Sequence, residues 1–125
     1  MTRDAAIGTA LSYFDGGEFL RDLSRRVAIR SESQNPQAGD EINRYLSDEI
    51  VPTLAALGFE SRIMDNPLGS GWPMLLAERI EDENLPTVLS YGHGDVILGR
   101  PEEWRDGLDP WTVSREGDRL YRLER

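Results

Sequence analysis

Residues 86–96, Pro-Thr-Val-Leu-Ser-Tyr-Gly-His-Gly-Asp-Val, constrain the fold more than any other stretch of this chain. The central residues of 86–91 are apolar on both sides of an extended backbone, and strands of that kind occur where both sheet faces are covered. The pattern predicts a central strand with neighbours on either side. The strand then runs out through Gly92 into His93, the single histidine of the chain, with Asp95 two positions on. Ligands of α/β sheets sit beyond the carboxyl ends of strands. Flanking glycines leave room for close approach. A carboxylate within reach can fix the imidazole tautomer and raise its basicity. His93 is therefore a candidate metal ligand and Asp95 its partner. A purely structural histidine is the competing reading, because one imidazole cannot hold a metal by itself.

Upstream, Phe19, Leu23 and Val27 recur every four residues, with Leu20 alongside, and predict an amphipathic helix over 17–29. Residues 31–35 form a polar loop. Asn35 followed by Pro36 reads as an N-cap and first helical position. The helix that follows carries Ile42, Leu46, Ile50 and Leu54 on one face and runs to about Leu57. Pro52 removes one backbone donor within it, so a kink or short break is expected there. Gly58 should close the helix as a left-handed cap. Strands are then expected at 59–64, 74–80 and 86–91, with an acidic turn at 81–84. Helix, helix and three strands point to an α/β sheet domain. The long loop 98–112 contains Trp104 and Trp111, which either cover a core edge or wall a substrate cleft.

Composition narrows the function classes. The chain has 125 residues, about one domain, with 38% apolar and 30% charged residues. Its net charge of -9 argues against nucleic acid or an anionic membrane as a partner. There is no cysteine, hence no disulfide and no thiolate metal site. No signal peptide and no apolar run of membrane-spanning length is read, so a cytoplasmic location is expected. No G-x-S-x-G elbow, phosphate loop or dinucleotide fingerprint occurs.

The residues Ser90–Val96, then Trp104, Gly107, Pro110-Trp111 and Gly117-Asp118-Arg119-Leu120-Tyr121, resemble a known family. They are similar to the start of the aminoacylase, acetylornithine deacetylase, succinyl-diaminopimelate desuccinylase and glutamate carboxypeptidase family of dinuclear zinc hydrolases. Ser33-Gln34-Asn35-Pro36, Arg44-Tyr45-Leu46 and Leu57-Gly58-Phe59 extend the likeness over most of the chain. The resemblance implies that His93 is the first histidine ligand of one zinc ion and that Asp95 hydrogen-bonds it. It implies two zinc ions per site, with cobalt or manganese as substitutes, and a small N-acyl amino acid or peptide as substrate. Family members continue past Leu-Tyr into Gly-Arg-Gly and an aspartate that bridges both metals. Here Tyr121 is followed by Arg122-Leu123-Glu124-Arg125. The bridging aspartate, the general-base glutamate, the second histidine and the lid domain through which many members dimerise do not follow. That departure reads as a frameshift or early stop in a longer gene.

The resulting expectation is an incomplete α/β catalytic domain, with residues 1–125 as its N-terminal portion and two helices leading into strands of a mixed sheet. The parent activity is hydrolysis of an amide or peptide bond by metal-activated water, with a carboxylate moving the proton. This chain by itself is expected to be inactive and to bind zinc weakly. The alternative is a non-enzymatic remnant or a small interaction module that pairs through an exposed sheet edge.

Overall fold

The computed structural model describes residues 2–69 and 71–121. They divide into two compact units, one of residues 29–99 and one that joins the beginning of the chain to residues from 100 onward.

In the second of these, α1 spans Arg3–Asp15 and α2 spans Glu18–Val27. The Thr2 hydroxyl accepts from the Ala5 amide and starts α1 as an N-cap. Sequence periodicity does not announce α1. Its apolar Ile7, Leu11 and Phe14 are interspersed with small and polar residues, and none of its residues is buried. Gly17, at φ 78°, turns the chain back between the two helices. Phe19 then meets Phe14 at 5.5 Å and the edge of Tyr13 at 6.3 Å between ring centroids. The Tyr13 hydroxyl donates to Asp22 Oδ2 at 2.6 Å. Further on, β3 (Ser114–Glu116) and β4 (Arg119–Tyr121) form a tight antiparallel hairpin around Gly117, whose φ of 62° suits the turn. The Arg105 guanidinium lies over the Tyr121 ring at 5.7 Å. Of the two loop tryptophans, Trp111 is buried beside the fully buried Pro110, as a core-covering residue would be.

The unit of residues 29–99 holds the predicted long helix, in three parts. α3 covers Gly39–Arg44, a π-helical stretch follows over Tyr45–Ile50, and α4 covers Val51–Ala56. The expected disturbance from Pro52 is realised one turn upstream of it. Proline has no N–H for the Asp48 carbonyl and its ring crowds that group. The helix widens instead, and the Val51 amide reaches back five residues to the Leu46 carbonyl. The expected start at Pro36 is corrected. Asn35 Oδ1 accepts from the Gln37 amide at 3.0 Å, and the Asn35 carbonyl accepts from Ala38, so this asparagine closes a turn ahead of the helix. Gly58 ends α4 at φ 83°, and the Phe59 amide returns to the Leu54 carbonyl.

β1 (Glu60–Met64) pairs antiparallel with β2 (Met74–Glu78), placing Ser61 opposite Ala77 and Ile63 opposite Leu75. Ile29, Ala38 and Ile42 are the buried apolar residues of this unit.

The central strand expected at 86–91 does not form. Val88, Leu89 and Tyr91 are 86%, 92% and 92% exposed, and the segment joins no ladder. A doubly apolar strand needs hydrogen-bonding neighbours and covered faces. Among the described residues the ladders are two separate two-stranded antiparallel sheets. The mixture of helices and small antiparallel sheets is compatible with an α/β assignment, but the predicted mixed sheet is absent from these residues. No helix among them is long and apolar enough to cross a membrane.

Candidate functional site

The loop that carries His93 is tied to the polar segment 31–33, far away in sequence. Glu32 and Val96 form an isolated parallel bridge. The Val96 amide donates to the Ser31 carbonyl at 2.9 Å, and the Ser33 amide donates to the Val96 carbonyl at 3.0 Å. Ser31 is buried, and its hydroxyl donates to the Gly94 carbonyl at 2.7 Å. Glu32 Oε1 accepts from the Gly99 amide at 2.7 Å and closes the far end of the loop. Gly94 lies close against the Tyr45 ring. A Cβ placed there would stand 1.9 Å from Tyr45 Cε1, so only glycine permits this approach.

The loop holds His93 and Asp95 together. His93 Nδ1 is 3.2 Å from Asp95 Oδ1 and 3.1 Å from the Asp95 carbonyl oxygen. Both partners are acceptors, so the proton of the neutral ring is assigned to Nδ1 and the Nε2 lone pair is left outward. The His93 side chain is 69% exposed, which leaves that nitrogen open to solvent or to a ligand. The Asp95 carboxyl is held below its ordinary value, first by a hydrogen bond from the Ser33 hydroxyl and then by the His93 charge, with partial burial opposing both. An ionised Asp95 is the form that orients and enriches the imidazole.

Chemically, His93 can offer one nitrogen to a metal ion, with Asp95 behind it. A catalytic zinc takes about three protein ligands and a water. Among the described residues no three histidine, aspartate or glutamate side chains converge. The donors present fit one ligand of such a centre and not the centre, so no reaction step is derived through a metal on this chain. The departure from the family pattern at 122–125 lies outside the described residues. A shallow open depression lined by Glu60, Ser61, Arg62, Leu76 and Glu78 lies on the β1–β2 hairpin. Neither His93 nor Asp95 lines it, and a sheet-face hollow with mixed charge is all that it amounts to.

The structure brings His93 and Asp95, the two residues singled out from the sequence, within 3.2 Å of each other. Sequence reasoning missed Ser31, Ser33 and Tyr45 as the groups that hold their loop. The one available signal was the spacing of Ser31 and Ser33, which puts both on one side of an extended segment.

No family model matches the chain. It is similar to the Beta-Ala-His dipeptidase of Rattus norvegicus, with 32% identity over 83% of this chain and 23% of that protein. It is similar to the Beta-Ala-His dipeptidase of Mus musculus, with 34% identity over 83% of this chain and 23% of that one. The chain thus spans less than a quarter of the length of the curated relatives it matches. At a coarse level the likeness agrees with a peptidase, a hydrolase of peptide bonds.

Proposed function

We propose that residues 1–125 are the N-terminal portion of the catalytic domain of a zinc-dependent dipeptidase or related amide hydrolase. In this reading His93 supplies one metal ligand through Nε2, and Asp95 positions it. The substrate class is a dipeptide or a small N-acyl amino acid. The chain by itself hydrolyses neither. The observation that carries the reading is the His93–Asp95 pair: Nδ1 is committed to Asp95 at 3.2 Å while the ring stays exposed, which is the arrangement a ligating histidine requires. The likeness to dipeptidases supports it independently. When bound, zinc would supply Lewis-acid activation of water at neutral pH. This chain's own part is to hold the imidazole tautomer and aim it.

The test restores the missing ligands. Residues 1–121 replace the aligned segment of the rat dipeptidase, and the chimera is assayed on dipeptides with zinc, cobalt or manganese. Activity is expected. His93→Ala should abolish most of it and lower metal content. Asp95→Asn should keep most of the metal and slow turnover about 10- to 100-fold. Full turnover in the His93→Ala chimera, with metal intact, would make the histidine structural and sink the reading. The isolated chain should bind zinc more weakly than about 1 μM in calorimetric titration. A stoichiometric nanomolar site would instead reveal a complete donor set within these residues.

A further inference from the structure

We propose that Ser31 is a positioning residue for His93, and that the Asp95 main-chain carbonyl, held in place by Ser31, sets which ring nitrogen carries the proton. The Asp95 carboxylate then supplies negative charge behind the ring and does not choose the tautomer. The proposal deepens the metal-ligand reading of His93 and rests on it for its functional meaning.

Ser31 bonds the peptide groups on both sides of Asp95. Its hydroxyl donates to the Gly94 carbonyl at 2.7 Å and fixes the peptide group ahead of Asp95. Its own carbonyl accepts from the Val96 amide at 2.9 Å and fixes the peptide group after Asp95. A trans peptide is planar, and its N–H and C=O point in opposite directions. The Val96 amide faces Ser31, so the Asp95 carbonyl of the same peptide group faces away from it. That carbonyl oxygen is 3.1 Å from His93 Nδ1. Ser31 is buried, at 3% exposure, and the Ser33 amide on the Val96 carbonyl at 3.0 Å continues the same pairing.

Two acceptors compete for the Nδ1 proton, because Asp95 Oδ1 stands at 3.2 Å. A carboxylate is the stronger acceptor where its place is fixed. Here the Asp95 side chain is 45% exposed. It gives up side-chain rotation to meet the ring, and water screens its charge. The carbonyl gives up nothing further, because Ser31 on one side and the Tyr45 ring against Gly94 on the other have already ordered the backbone. The main chain therefore decides the proton's place and leaves Nε2 unprotonated for a ligand.

Because His93 is the only histidine, its ring nitrogens give unambiguous long-range proton–nitrogen NMR signals in the full chain. The readout is the ratio of the Nδ1–H to the Nε2–H tautomer in the metal-free chain, at a pH where the ring is neutral. Asp95→Ala removes the carboxylate and keeps the carbonyl, so the ratio should stay within about twofold of the parent chain. Ser31→Ala should lower it about two- to tenfold, the worth of one hydrogen bond. A serine that served stability alone would lower the melting temperature and leave the tautomer in place. A larger fall in folded Asp95→Ala overturns the proposal, because the carboxylate would then set the tautomer. An unchanged ratio in folded Ser31→Ala overturns it as well. Should either variant fail to fold, scalar coupling across the hydrogen bond in the unmodified chain decides. Coupling of His93 Nδ1 to the Asp95 carbonyl carbon supports the proposal; coupling to the carboxyl carbon alone, or none, overturns it. Failure of the chimera would remove the metal-ligand reading and leave the carbonyl's role standing. Failure of the tautomer prediction would leave the ligand reading standing.

Discussion

Gly94 is the residue on which the site's geometry turns. The sequence shows it only as one of two glycines beside a histidine. The fold gives the reason: the backbone there approaches the Tyr45 ring so closely that a Cβ would overlap three ring atoms. Gly94→Ala must push Tyr45 or the loop aside, and overpacking of this kind costs about 1–3 kcal/mol. The expected outcome is a lower melting temperature together with a loosened His93–Asp95 pair, seen as loss of the Nδ1–H tautomer by NMR. Gly92 has open space around the same construction, so Gly92→Ala serves as the control and should leave that tautomer in place. Ser31 belongs to the same scale. Its residue type announced only a polar loop, and its buried hydroxyl acquired a role because a segment more than sixty positions away came to lie beside it.

At the scale of elements, the α1–α2 pair shows how a weakly patterned helix is kept. Gly17 reverses the chain, the aromatic rings of Tyr13, Phe14 and Phe19 meet, and the Tyr13 hydroxyl bonds Asp22. That bond lowers the Asp22 carboxyl from its ordinary value, ahead of the Arg25 contacts, and raises the Tyr13 phenol. A carboxyl depressed in the folded state contributes stability above its unfolded value and loses it as pH falls through the folded one. Tyr13→Phe should therefore melt lower at neutral pH, and the gap to the parent chain should close as pH drops below about 4. The gap should also close at the alkaline end, once pH rises through the raised phenol value. Melting curves followed by circular dichroism across pH check both limits; a gap independent of pH would mean that the hydroxyl does not act through the Asp22 carboxylate. The helix over 39–56 teaches the complementary lesson. Its apolar spacing and its proline were legible, because both are properties of local sequence. Its π-helical middle was not, because a proline can be absorbed by a kink, a break or a wider turn, and packing chooses among them.

For the whole molecule, the segment around 85–98 is the decisive feature. Leu85, Val88, Leu89, Tyr91 and Ile97 are between 58% and 92% exposed. Exposed apolar runs of this kind mark surfaces that bind other apolar surface. The full chain should therefore bind a hydrophobic dye and associate as its concentration rises. Val88→Lys with Leu89→Lys should reduce both while leaving the far-ultraviolet spectrum unchanged. Dye binding equal in the two chains would locate the sticky surface elsewhere. The sequence by itself determined the helices with a four-residue apolar repeat, the Gly58 cap, the β1 and β2 strands and the pairing of His93 with Asp95, because each is set by neighbours within a few positions. It also carried the likeness to peptidases. Tertiary structure alone decided that 86–91 stays unpaired, since a strand exists only where another strand supplies its hydrogen bonds. It alone decided that Ser31, Ser33 and Tyr45 grip the histidine loop, since those contacts join positions that no local pattern relates.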